Sequence, residues 1–381
     1  MISRKKRPKG IYVVNEAGCL DPTSGAYRHI DIGLSELNKY FDIYLISSKI
    51  KKSLKTTPQN DIVQNSKRSS LIKGTLSDCK ILLKSVIKSI QISSIICTNK
   101  VDFVYFRASF LDLLPVVLNI LKIPCFVESN GLQFEARKKY YPSLLTPLNR
   151  WIEKKIYSCS RHVFFVGTYG DYWQLSTKNW SNVENGVEIN FINHYSNHQK
   201  IINDKVNIAF IARLMSHHQP SLLIKAIKIL EKETKENLCL NLFGTGFDTI
   251  KNELESHIEV IDHGFLDRNE LADILKMMHV GVIPGVPPYT SQMKLFDYGA
   301  SKCISIVPRT YNFDYWFDTS EVEFFEIDDS LGLAKILMAI TEQPADYFSK
   351  GESLYRKISN DFSWESVFDQ KAKVINQKIV R

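Results

Sequence analysis

The stretch Val280 to Arg309, VGVIPGVPPYTSQMKLFDYGASKCISIVPR, limits the fold of this chain more than any other. A short apolar strand, Val280 to Pro284, runs into a Pro/Gly-rich turn. A helix opens at about Ser291, and a second apolar strand starts at Cys303. Strand, turn, helix and strand in that order make one unit of a doubly wound parallel sheet, whose ligands sit beyond the carboxyl ends of the strands. There the loop and the first helical turn offer unpaired N–H groups. Thr290 and Ser291 are the expected hydroxyl caps, and Lys294 and Asp297, three apart, share one face of the helix. A cation beside a helix N-terminus suits phosphate, and a carboxylate one turn on suits a sugar diol. An ordinary helix with Lys and Asp in solvent fits the same spacing.

The rest of the chain repeats this alternation. Strands are expected at Ile11–Asn15, Asp42–Ser48, Val101–Arg107, Ile123–Ser129 and Arg161–Gly167, the last of the first half. A polar loop containing Gly25 spans Asp21–Arg28, and a helix starts at His29. A long surface excursion is expected over Lys49–Ser70. The second half restarts at Val206, with a helix of clear 3.6 period from Ser221 and a Gly-x-Gly turn, Gly244 and Gly246, closing the Leu238–Gly246 strand. The order β, α, β, α argues for a parallel sheet in each half. The 381 residues, 44% of them hydrophobic, are comfortable for two domains of ordinary size.

Charge is uneven. Residues 1–100 carry 18 Lys/Arg against 7 Asp/Glu, a net +11, whereas the whole chain is only +8. Anionic lipid, a polyanionic acceptor or water alone could face that basic part. Cys79–Ile92 reads as amphipathic, with Ile81, Leu82, Val86 and Ile90 on one side and Lys80, Lys84 and Lys88 on another. A core helix with a solvated lysine stripe and a helix lying on a membrane surface both fit. The apolar stretch Phe103–Val127 is broken by Arg107, Asp112, Pro115 and Lys122, and no secretory signal follows the basic N-terminus, so a soluble or peripheral protein is expected. The seven cysteines form no C-x-x-C pair and read as reduced thiols. Basic residues are not interleaved with aromatics in a repeated way, so no nucleic-acid partner is expected.

Met293–Pro308, MKLFDYGASKCISIVP, resembles the donor-binding segment of family 4 glycosyltransferases, and the resemblance extends along nearly the whole chain. It implies a GT-B architecture: an α/β chain with two Rossmann-like domains facing a central cleft. The expected divisions are an acceptor-side domain over 1–190, a linker over 191–204, a nucleotide-sugar domain over 205–360 and a terminal helix over 361–381 that crosses back. Phe362-Ser363-Trp364-Glu365 resembles the start of that helix, and Asn185-Gly186-Val187-Glu188 resembles the family's Asn-Gly-Val-Asp turn between the halves.

The implied donor contacts are Gly25 and Arg28 in the N-terminal loop, Arg213 and His218 after the first strand of the second half, Gly244, Gly246, Tyr289, Thr290, Ser291, Lys294 and Asp297. The family usually has lysine where His218 stands, and glutamates where Tyr289 and Asp297 stand. Glu128 and Asn130 fall where relatives place an acceptor-side carboxylate, although an acidic residue at a strand end also caps the next helix. With Arg213 and Lys294 they are the implied catalytic residues. The implied reaction moves a sugar from a nucleotide-diphospho-sugar to a glycan or lipid-linked acceptor in surface polysaccharide or lipopolysaccharide assembly, with the anomeric configuration retained. Neither a cofactor nor a metal is expected, since cationic side chains can neutralise the leaving diphosphate. An anionic membrane surface is a further expected partner, with the protein cytoplasmic and peripheral on that face. A sugar-nucleotide epimerase, or a non-catalytic nucleotide- or glycan-binding protein, on the same fold remains open.

Overall fold

The computed structural model describes residues 7–15, 25–47, 70–176, 179–202 and 204–379. The expected loop residues 21–24, nearly all of the 49–70 excursion and the first residues of the basic arm lie outside the described residues. The chain divides into two compact units, one of Met1–Glu184 with Phe368–Arg381 and the other of Asn185–Val367. Each is a six-stranded, wholly parallel sheet with surrounding helices, two Rossmann-like domains in all.

In the first unit the strands are β1 (Lys9–Val14), β2 (Asp42–Ser47), β3 (Phe103–Arg107), β4 (Cys125–Ser129), β5 (His162–Val166) and β6 (Trp180–Val183), in spatial order β2-β1-β3-β4-β5-β6. Every residue of β3, β4 and β5 is buried, as expected of parallel strands covered on both faces. Strand β6 follows what the sequence marks as the last strand. Its pattern is three half-buried residues and Val183, too short and polar to signal itself.

The second unit holds β7 (Val206–Arg213), β8 (Leu238–Thr245), β9 (Glu259–Asp262), β10 (Val280–Val282), β11 (Ile304–Pro308) and β12 (Val322–Phe325), in order β12-β11-β10-β7-β8-β9. The chain steps outward from β7 to β9, then returns to the other side of β7 and steps outward again. Adjacent β7 and β10 therefore mark the point where the winding reverses, and the carboxyl ends of those two strands are where such a sheet binds its ligand. Gly281 in β10 leaves room for the Tyr298 ring, since a Cβ there would lie 2.2 Å from it. The Met293–Ala300 helix can thus press against the sheet, and Tyr298 Oη accepts the Ile211 N–H of β7 at 2.9 Å.

Two expectations about the boundary change. The division falls between Glu184 and Asn185. The stretch taken as a polar linker carries a helix, Ile189–Asn193, whose Phe191 and Ile192, with Tyr195 beyond it, are buried in the core of the second unit. Three apolar side chains among polar neighbours are too few for periodicity to register, yet enough to fix the segment. The terminal helix, Trp364–Ile379, contributes its residues from Phe368 onward to the first unit.

Candidate functional site

At the β7/β10 reversal the structure brings the side chains of Lys294 and His218 near one another. Lys294 occupies the second position of the Met293–Ala300 helix and is buried, yet among the described residues its Nζ has no hydrogen-bond partner. It is 5.6 Å from the centroid of the Phe210 ring of β7. Burial without a counter-charge brings its pKa down from 10.5 to about 7. His218 is also buried, in the short 3-10 turn Ser216–His218 after β7. Its Nδ1 accepts the Met215 N–H at 3.1 Å, which leaves Nε2 as the protonated nitrogen. Burial first, then the Lys294 charge and His217, push its pKa to about 3. His218 therefore stays neutral and can offer one N–H, while Lys294 supplies the charge.

Arg213 is exposed at the end of β7, in register with Thr245 of β8. Beside it the β8 turn has Gly244 at φ +128° and Gly246 at φ +91°. A Cβ on Gly244 would sit 2.1 Å from the Ala212 carbonyl oxygen, so only glycine lets the two strand ends lie this close.

The helix starts later than its spacing suggests. Gln292 is the N-cap residue and makes no side-chain cap, so Thr290 and Ser291 do not cap it. Ser291 Oγ instead accepts the Asn185 N–H at 3.2 Å and its Nδ2–H at 2.8 Å, a partner 106 residues away. Thr290 is half-buried, and its N–H bonds the Pro287 carbonyl at 3.1 Å. The Tyr289 ring is half-buried and packs at 5.4 Å on Tyr311.

Asp297 does not stand open for a diol. Its Oδ1 is 2.7 Å from Arg268 Nη2, which also bonds Glu188 Oε2 at 3.0 Å, and the guanidinium lies 3.4 Å over the Phe191 ring. Lys294 turns toward β7 and Asp297 toward this second cluster, so a spacing of three has separated their roles. Arg268 and Glu188 carry no local signal of this pairing, since each is remote from Asp297 in the chain.

In the first unit Gly25 and Arg28 belong to the first turn of the Gly25–Leu37 helix, which begins four residues before the expected start at His29. Glu128 at the end of β4 is fully buried and saturated with partners. Tyr105 Oη donates at 2.6 Å and Lys371 Nζ at 2.8 Å to Oε2, and Arg107 Nη1 donates at 2.9 Å to Oε1. His29 Nε2 is 2.9 Å from Oε1, and half-buried Asn130 donates its Nδ2–H to the same oxygen at 3.3 Å. Burial alone would raise this carboxyl's pKa, but His29, Lys371 and Arg107 together hold it well below the ordinary value. Glu128 is therefore a fixed anion inside the first unit, paired at both oxygens. Lys371 comes from the terminal helix, 243 residues along the chain, which no local pattern could reveal. Among the described residues no group of three or more His, Cys, Asp or Glu side chains is placed to hold a metal.

No family model and no curated protein matches the sequence. Solved structures do match the fold. Sucrose-phosphate synthase from Thermosynechococcus elongatus superposes with a TM-score of 0.72 at 12% identity, over 97% of this chain and 99% of that one. A glycosyltransferase from Rickettsia africae gives 0.65 at 12% identity, over 99% and 100%. Anabaena HepE in complex with UDP and glucose gives 0.62 at 10% identity, over 97% and 100%. These likenesses show the fold, which is that of GT-B glycosyltransferases.

Proposed function

We propose that this chain is a glycosyltransferase that takes its sugar from a nucleotide-diphospho-sugar. The observation that carries the reading is Lys294: a buried ammonium with no hydrogen-bond partner among the described residues, at the start of a helix and at the reversal point of a parallel sheet, is a site built for an anion that arrives. A charge left so would be costly unless a ligand completes it. The fold supports the same reading, since structures sharing it were solved with UDP-glucose and with ADP and acarbose.

In the reaction the bond from the anomeric carbon to the diphosphate oxygen breaks, the acceptor hydroxyl oxygen bonds that carbon with the configuration retained, and the hydroxyl proton passes to the departing diphosphate oxygen. Negative charge grows on the departing diphosphate. Lys294, the Arg213 guanidinium, the His218 Nε2–H and the free N–H groups of the Met293–Ala300 helix are the groups to receive it. With that charge met by side chains, transfer proceeds without a divalent metal. Gly244 and Gly246 let the backbone approach the donor. Asp297 fixes the helix through Arg268, and its second oxygen is what remains for a ribose hydroxyl. A lipid-linked or glycan acceptor in surface polysaccharide assembly completes the proposal.

The test is donor consumption by the purified chain, with and without lipid-linked oligosaccharide acceptors, in EDTA. Acceptor-dependent consumption that Lys294→Met abolishes supports transfer. Loss of all turnover in EDTA, or turnover unaffected by Lys294→Met, overturns the assigned charges. One observation favours a second reading, binding without turnover: Glu128, the carboxylate expected to act, is engaged by cations. Tight donor binding with no consumption on any acceptor would decide for it.

A further inference from the structure

The 29-residue helix Leu71–Asn99 is built inside out. The residues it buries against the first unit are mostly small or polar, among them Gly74, Asp78, Ser85, Ser89 and Ser93. Asp78 is held by Arg137 at 3.1 Å and Asn149 at 2.8 Å, Ser85 Oγ accepts the Leu113 N–H at 2.8 Å, and Gly74 leaves room for the Pro142 carbonyl. Apart from Ile92 and Ile96, which are buried, most of its large aliphatic side chains point the other way. Ile72 is 70% exposed and Leu83 68%, and Leu76, Ile87 and Ile90 are similarly open. The steps between these five positions, four, seven, four and three, keep them on one stripe.

The sequence places Val86 and Ile90 on an apolar side and leaves open whether that side meets a core. In the structure Val86 and Ile90 are exposed and Ile81 and Leu82 half-buried, while serines, with Ile92 and Ile96, occupy the inner face. Along one border of the stripe runs a second one, the exposed Lys73, Lys80 and Lys84, offset from the aliphatic stripe by roughly a quarter turn, with half-buried Lys88 further round. The apolar surface continues beyond the helix. Leu144, 68% exposed, donates its backbone N–H to Thr75 Oγ1 at 3.0 Å, and Leu148 and exposed Trp151 follow it at helical spacing.

We propose that this face docks the first unit onto an anionic lipid surface, with the aliphatic stripe at the acyl boundary and the lysines among the headgroups. The lysine border selects this occupant. Lysine is depleted in the cores of protein–protein interfaces, whereas an apolar stripe flanked by lysines, with a tryptophan nearby, is the pattern of a helix lying in a membrane interface. The helix is also long and apolar enough to cross a membrane by length and composition. A crossing by its apolar part would put Lys84 and Lys88 in hydrocarbon and break the contacts of Ser85, Ser89 and Ser93 with the first unit. Lying flat keeps them. The inference is independent of the donor site, since none of these residues belongs to it.

The full chain is sedimented with phosphatidylcholine vesicles and with vesicles containing 30 mol% phosphatidylglycerol, at low and high salt. Binding to the anionic vesicles alone, weakened by salt, is expected. Lys80→Gln with Lys84→Gln should weaken it roughly 25-fold, at about fivefold per lysine. Leu83→Asn with Ile87→Asn should weaken it at least as much, while Lys232→Gln in the second unit leaves it unchanged. All four target positions in the first unit are exposed, so the variants keep the wild-type circular dichroism and melting point. Absence of vesicle binding overturns the proposal, as does binding indifferent to both double variants. A wild type that binds no vesicle but self-associates, with Leu83→Asn/Ile87→Asn monomeric, overturns it in favour of a second copy of this chain.

Discussion

If Lys294 is the donor's counter-charge, nucleotide-sugar affinity must depend on pH with a particular sign. In the empty protein the Lys294 ammonium titrates at about 7, pushed down from 10.5 by burial. The diphosphate of a nucleotide sugar is doubly esterified and keeps its charge throughout this range, so the lysine is the group that responds. Below pH 7 the lysine is charged and binds at full strength. Above it each pH unit costs about tenfold, because the ligand must first restore a proton to the amine. From pH 6 to pH 9 the loss is therefore roughly 100-fold, up to a ceiling of about 5 kcal/mol if the complex restores the ordinary lysine pKa. Calorimetry in two buffers of different ionisation enthalpy should find close to one proton taken up on binding at pH 8.5. Lys294→Arg, whose guanidinium stays charged, should flatten the profile. The empty protein shows the same linkage in its stability. The unfolded chain keeps the lysine proton up to 10.5 and the folded chain only up to about 7, so the unfolded state holds more protons in between. Stability therefore rises with pH across that window, by about 1.4 kcal/mol per unit, and is lowest below it. A flat affinity profile without proton uptake refutes the assignment.

Three further outcomes follow from burial and pairing. Lys294→Met removes a buried ammonium with no hydrogen-bond partner among the described residues and should stabilise the empty protein at pH 7 by on the order of 3 kcal/mol, read as a raised urea midpoint, while removing donor binding. Glu128→Gln leaves Lys371 and Arg107 buried without their anion and should cost about 3–5 kcal/mol, with faster amide exchange over residues 368–379 as the readout that places the loss at the terminal helix. Gly244→Ala forces a side chain into a positive φ and against the Ala212 carbonyl, so it should lower the melting point and weaken nucleotide-sugar binding together, by on the order of 2 kcal/mol each.

The fold was legible because the chain spells it in a local code. Strands such as β3 to β5 are continuous apolar runs, and the helices between them keep their period, so a parallel sheet in each half follows from order alone. The candidate site was less legible. Spacing alone fits a solvated lysine as well, and only the resemblance of Met293–Pro308 singled Lys294 out. What stayed hidden depends on partners far along the chain. Ser291 looks like a helix cap until Asn185 takes its hydroxyl, and Asp297 looks like a free carboxylate until Arg268 pairs with it. Glu128 looks like a reactive acid at a strand end, but Lys371 and Arg107 seal it inside. The helix Leu71–Asn99 is a different failure. Its two faces are readable, but periodicity cannot say which one turns inward, and here the serines do.

The measurement that bears most directly on the account is a thermal-shift panel of UDP-, GDP-, ADP-, dTDP- and CMP-sugars, run in EDTA on the wild type and on Lys294→Met. The account predicts that at least one nucleotide-diphospho-sugar raises the wild-type melting point by several degrees without metal, as expected when ligand is in large excess over its Kd, and that none raises that of Lys294→Met. A panel that leaves the wild type unmoved, or that moves both proteins alike, would contradict it.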